Sequence, residues 1–232
     1  MSTKAAPPGS GSGSGVTKGG PGACVANVRG IDVVLGTPRK LPKADALRGR
    51  VAVLDIAFAA DGTGASFEKI TGVFLSKLGP RLAAWVDHHD HALHAKYAVD
   101  PRFTLAKKSE HGACPEMVTR AVIERAGPVD TLVCHDDLDR LYSAAKWLRG
   151  GEEPYAGADA DARAVDTRIG ETSKLGTVLD RALRARPHDG ALRGQLVRFL
   201  ADGARTSDLE FELFERAADE FALQEDNAHT LA

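Results

Sequence analysis

Leu82-Ala83-Ala84-Trp85-Val86 runs directly into Asp87-His88-His89-Asp90-His91, and this junction decides how the chain is read. A short, wholly apolar run is the pattern of a buried strand, and here it ends in carboxylate and imidazole groups. Two further junctions share the design. Val51-Ala52-Val53-Leu54-Asp55-Ile56-Ala57 delivers Asp55, and Val129 to Cys134 leads into His135-Asp136-Asp137-Leu138-Asp139. Between them, Phe67, Ile70, Val73, Phe74 and Leu78 recur at helical spacing until Gly79-Pro80, and Met117, Val118, Ala121 and Val122 give a second stripe over 115–126. This alternation predicts an α/β fold, a mostly parallel sheet with helices on both faces. Ligands of such sheets collect at the carboxyl ends of the strands, where all three polar clusters fall.

Working outward, residues 171–232 read as a helical appendage. Leu175, Val178, Leu179 and Leu183, then Leu192, Leu196 and Leu200, mark two amphipathic helices; Leu209 to Leu223 makes a third, and 227–232 fray. This segment either covers the sheet or mediates self-association, as in a homodimer. At the other end, residues 1–28 hold Pro7-Pro8, alternating glycines from Gly9 to Gly15, and Gly19-Gly20-Pro21-Gly22, a composition expected of a flexible tail. No Gly-Lys-Ser/Thr ending makes those glycines a phosphate loop. Residues 29–170 are left as the chemical domain.

Composition narrows the partners. The chain has 232 residues, 43% of them hydrophobic and 27% charged, with 30 lysines and arginines against 32 acids and a formal charge of -2. Long duplex nucleic acid, which rewards many phosphate contacts, is a poor partner for such a surface. A phosphorylated small molecule or short oligonucleotide fits it, since bound metal supplies positive charge locally. No apolar run nears the ~20 residues needed to cross a bilayer, and the amino terminus lacks a secretory pattern, so a cytoplasmic protein is expected. Cys24, Cys114 and Cys134 lack paired spacing and read as small apolar residues.

The clusters point to hard divalent cations. Mn²⁺ and Mg²⁺ take carboxylate oxygens, and Mn²⁺ accepts imidazole as well. Taken singly, each place has a plainer reading: a strand-end Asp caps the next helix, and polar runs line solvated loops. Together, on three strand ends, they form a ligand set for two ions that activate water and neutralise phosphoryl oxygens.

The segments also resemble a known family. Asp87-His88-His89 after an apolar strand looks like the name-giving motif of the DHH phosphoesterase superfamily, and Val53-Leu54-Asp55 looks like its metal-bridging aspartate motif. His135-Asp136-Asp137-Leu138-Asp139-Arg140-Leu141-Tyr142-Ser143-Ala144-Ala145 resembles its His-x-Asp-x-Asp-Gly-x-x-Ser-Ala motif. Together the matches span about 50–170. In that family the last motif comes first, so the resemblance implies a circularly permuted order. Arg140 stands where the family usually has glycine, and the family's second domain, with its glycine-rich loop, is missing.

Carried over by motif, the resemblance implies two Mn²⁺ or Mg²⁺ ions. His135 and Asp137 hold one, Asp139 and His88 the other, and Asp55 bridges them. Asp87 is a ligand or orients a histidine, and His89 donates to the substrate phosphate. A fourth aspartate is expected, with Asp166 the first candidate and Asp159 and Asp161 its competitors. Arg168 is a candidate phosphate contact, Ser109-Glu110-His111-Gly112 a candidate pocket wall, and His91 and His94 surface or supporting residues. The implied activity is hydrolysis of a short oligonucleotide or a linear or cyclic dinucleotide. An inorganic pyrophosphatase or phosphomonoesterase of the same superfamily, a catalytically silent binding module, and a zinc hydrolase using the histidines alone are the alternatives.

Overall fold

The computed structural model describes residues 20–62, 64–205 and 209–230. Six strands form one sheet: β1 (Cys24–Val28), β2 (Ile31–Leu35), β3 (Val51–Leu54), β4 (Leu82–Asp87), β5 (Phe103–Leu105) and β6 (Thr131–Cys134), in the order β1-β2-β6-β3-β4-β5. All neighbours run parallel except the β1–β2 hairpin. The fold is thus α/β with a mostly parallel sheet. The three strands bearing polar junctions, β6, β3 and β4, are adjacent, and each is buried along its whole length.

Register explains why the junctions meet. Leu54 pairs with Val86 on one side and with Cys134 on the other. Asp55, Asp87 and His135 follow those residues, so they leave the sheet at one level. Alternation along the strands then divides the core. Ala52, Leu54, Ala84, Val86, Leu132 and Cys134 face one cluster, whereas Val51, Val53, Trp85 and Val133 face the other.

The first face carries most of the helices. These are α3 (Arg120–Ala126), α4 (Leu138–Leu148), α5 (Ala158–Thr167), α6 (Lys174–Ala185), α7 (Gly190–Ala201) and α8 (Leu209–Thr230). Val122, Leu141, Ala162, Leu179, Leu196 and Phe214, one from each, belong to the same apolar cluster as the sheet residues. The opposite face is covered by Phe58 and Phe67 and by α1 (Val73–Leu78); a short α2 (His94–Tyr97) follows β4. Trp85 is sealed there, its indole N–H donating to the Ile56 carbonyl at 3.0 Å. No helix among the described residues is long and apolar enough to cross a membrane.

Three expectations need correction. Cys24–Val28, placed in the 1–28 tail on composition, is strand β1; its alternate residues Ala26 and Val28 are buried because β2 and α7 supply the surface they need. The rest of that tail, 1–19, lies outside the described residues, as do Ala232 and Leu231. The single stripe over 66–78 is a wide π turn at 68–72 leading into α1, and Met117 and Val118 belong to a 3-10 turn and its end, not to α3. Finally, α8 runs on to Thr230 where 227–232 was expected to fray; the helices beyond 170 share a core with the sheet, in line with the covering role left open for them.

At Gly194 of α7 an added methyl group would be driven into the Val25 carbonyl of β1. Gly194→Ala should therefore lower stability by about 1–3 kcal/mol, the usual scale of overpacking. The check is the urea unfolding midpoint, and an unchanged midpoint would detach α7 from the sheet.

Candidate metal centre

His88, the residue after β4, is fully buried. Its Nδ1 lies 2.8 Å from the carbonyl oxygen of His111. A carbonyl only accepts, so Nδ1 carries the proton and Nε2 presents its lone pair. That nitrogen sits 3.3 Å from Asp55 Oδ1 and 3.9 Å from Asp166 Oδ2. A lone pair and carboxylate oxygens are held this close only around a shared cation, either a proton or a metal ion. Burial opposes a proton on His88, but Asp55, the His111 carbonyl and Asp166 raise its affinity above the ordinary imidazole range.

Asp55 is reached by a sharp turn of the backbone. Its φ of 55° is left-handed, a region where Asp is tolerated better than most residues, and its N–H donates to the Val86 carbonyl at 2.8 Å. The side chain has no exposed surface, and neither carboxylate oxygen finds a hydrogen-bond partner among the described residues. Such a group is costly unless a charge compensates it. Burial pushes the Asp55 carboxyl up, while His88 and the positive Arg140 more than offset this and hold it below the ordinary range.

Asp139, in the first turn of α4, shows the opposite outcome. It is buried with Oδ2 unpartnered, and burial together with the negative charges of Asp55 and Asp137 pushes its carboxyl well above the ordinary range. Two facing carboxylates that cannot both ionise share a proton unless a cation stands between them.

Asp87 and His89 adjoin this cluster, His89 Nδ1 lying 3.7 Å from Asp55 Oδ1. His89 Nδ1–H donates to Asp87 Oδ1 at 2.7 Å, and His94 Nε2 lies 3.6 Å from Asp87 Oδ2. Burial opposes the Asp87 charge, yet His89 and His94 bring its carboxyl down to about 2. Asp87 thus stays ionised and holds the His89 ring, whose Nε2 faces an Arg140 nitrogen at 3.4 Å.

Two overlapping groups of donors could hold a metal ion: Asp55, His88 and His89, and His88, Asp139 and Asp166, with the ligand atoms of each within 4.8 Å of one another. The competition among later aspartates is settled by their partners. Asp166, near the end of α5, comes to His88 and pairs with Lys108 Nζ at 2.7 Å. Asp159 instead pairs with Lys146, and Asp161 accepts from Ser173 and from the Tyr155 hydroxyl. His135 and Asp137 belong to neither group. His135 Nδ1 faces Asp136 Oδ1 at 2.9 Å and Asp137 Oδ1 at 3.5 Å. Burial opposes its proton, but those two carboxylates raise its affinity to about 9.

Lys108, His111 and Arg140 are the residues that sequence reasoning did not place in the centre. The signal for Arg140 was its position in the motif. Lys108 and the His111 carbonyl carry none, because they arrive on a turn after β5. His111 is held in turn by Glu116, 3.3 Å from its ring, and Glu116 takes two bonds from Arg163. Beside the centre lies a cavity of about 390 Å³, lined by Asp137, Asp139 and Asp166, by Arg168 at the end of α5, and by a wall running from α6 to α7 that includes Arg184 and His188. Arg193 of α7, itself buried, ties this wall to the β6 junction by donating to the Asp136 carbonyl at 3.0 Å.

No family model, curated protein or solved structure matches the chain.

The raised Asp139 carboxyl has a sign that can be tested. Its folded-state affinity for a proton exceeds the unfolded one, so losing that proton costs stability as pH rises above the ordinary carboxylate range near 4. Asp139→Asn keeps the shape and removes the charge. In EDTA at pH 7 it should be more stable than wild type by on the order of 1–2 kcal/mol, and the gap should close as pH falls toward 4. Thermal melts across pH measure this, and a less stable variant at pH 7 would show that the Asp139 charge is compensated by the chain itself.

Proposed function

We propose that this chain is a divalent-metal-dependent phosphodiesterase, related to the DHH phosphoesterases with a permuted motif order, that cleaves short oligonucleotides or linear or cyclic dinucleotides. The observation that carries the reading is the buried His88 Nε2, fixed by the His111 carbonyl and aimed among Asp55, Asp139 and Asp166. The donor set of carboxylate oxygens and one imidazole suits Mn²⁺ or Mg²⁺, and the unpartnered oxygens of Asp55 and Asp139 fit such an ion. Adjacency of β6, β3 and β4 supports the permuted relation, because all three motifs meet although their order in the chain differs.

Each residue then has a task. Asp55, His88, Asp139 and Asp166 hold the metal, which when bound acidifies the attacking water and neutralises the phosphoryl oxygens. His111 keeps His88 in the tautomer that binds, a role whose loss typically costs 10–100-fold in affinity or activity. Asp87 fixes the His89 ring so that its Nε2 accepts from the Arg140 guanidinium, and Arg140 supplies the donors to the phosphoryl group. Arg168, which lines the cavity beside the centre, offers a guanidinium to a second phosphate.

The test is product release from a bis-aryl phosphodiester, a dinucleotide, a cyclic dinucleotide and pyrophosphate, with Mn²⁺ and with EDTA. Cleavage of a diester that stops in EDTA is expected, and His88→Ala or Asp55→Asn should lower kcat/KM by more than about 100-fold, beyond the loss of a supporting partner. Hydrolysis of pyrophosphate alone would transfer the protein to the pyrophosphatase reading, and wild-type rates in both variants would sink the site.

A further inference from the structure

Resting on the metal-dependent reading above, we propose that the centre takes one divalent ion, not two, and that the Arg140 guanidinium occupies the role of the second positive charge. The side chain of Arg140 is largely buried among the acids. Its Nε lies 3.8 Å from Asp55 Oδ1, and another guanidinium nitrogen forms an ion pair with Asp137. A third contact reaches His89 Nε2. Arg140 therefore touches Asp55, which the motif resemblance makes the bridge between two ions, and Asp137, which it makes a ligand of the first.

The donor atoms count the same way. Both groups able to hold an ion need His88, and both use Nε2, since Nδ1 donates to the His111 carbonyl. One imidazole nitrogen has one lone pair and binds one ion. The two groups are thus overlapping halves of a single site, and Asp137 belongs to neither. His135, the other ligand expected for a first ion, is turned to Asp136 and Asp137.

Charge follows the same pattern. Lys108 pairs with Asp166, and Arg140 pairs with Asp137 and faces Asp55, so the chain itself supplies two positive charges among these carboxylates. A guanidinium is always protonated and presents a planar fork of donors that matches two phosphoryl oxygens. Arg140 therefore offers the substrate a cation that cannot dissociate.

The experiment is metal counting on the full chain, stripped with EDTA and titrated with Mn²⁺. Calorimetry reads the number of sites, and electron paramagnetic resonance reads whether bound ions are coupled. Wild type should bind one Mn²⁺ per chain with an uncoupled spectrum. Arg140→Gly should bind a second, with a coupled spectrum. Arg140→Gln, which keeps the bulk without the charge, provides an independent variant if glycine loosens α4, and should also gain an ion or bind the first more tightly. Two ions in wild type would overturn the inference and leave the metal-dependent reading intact; none in wild type would overturn both. One ion in wild type with both variants unchanged in number and affinity would remove the role assigned to Arg140.

Discussion

The constraint on which the rest of this structure depends is electrostatic: three adjacent parallel strands end at one level and bring several carboxylates together, Asp55, Asp87 and Asp139 among them buried. Like charges in such a place cannot all stay ionised unless cations stand among them. Asp55 and Asp139 show the two ways out, one carboxyl held down by His88 and Arg140, the other pushed up toward protonation. The surroundings answer the same demand. Lys108 reaches in from the turn after β5, Arg140 from the first turn of α4, and the His111 carbonyl dictates which nitrogen of His88 faces the acids.

That arrangement ties the chemistry to parts of the chain far from the motifs. Glu116 holds His111 and is itself clamped by Arg163 on α5, the helix that also carries Asp166. Arg193 anchors α7 to the β6 junction, and α6 and α7 form the far wall of the cavity. The helices beyond 170 therefore do two jobs at once. Their apolar faces complete the core over the sheet, and their polar edges set the size of what can approach the acids.

Much of this was legible in the residues because burial imposes a pattern. A fully covered parallel strand must be apolar along its length, so Val51–Leu54, Leu82–Val86 and Thr131–Cys134 stand out, and the first polar residue after each marks the carboxyl edge. β1 was hidden because a glycine-rich neighbourhood dominates its composition, and only pairing with β2 and packing under α7 repay its ordering. Among Asp159, Asp161 and Asp166 local sequence put Asp166 first but could not decide. They lie on one helix, and their partners, Lys146, Ser173 and His88, come from elsewhere in the chain.

By itself, then, the sequence determined an α/β chain whose strands end in Asp and His, since periodicity and strand-end chemistry are local properties that any fold must respect. Which strands stand side by side, which nitrogen of His88 is free, and that Arg140 lies among the acids rather than in solvent were decided only by the tertiary structure. The reason is physical: tautomer, ion pairing and proton affinity depend on distances of a few ångströms between groups far apart in the chain, and register and packing alone set those distances.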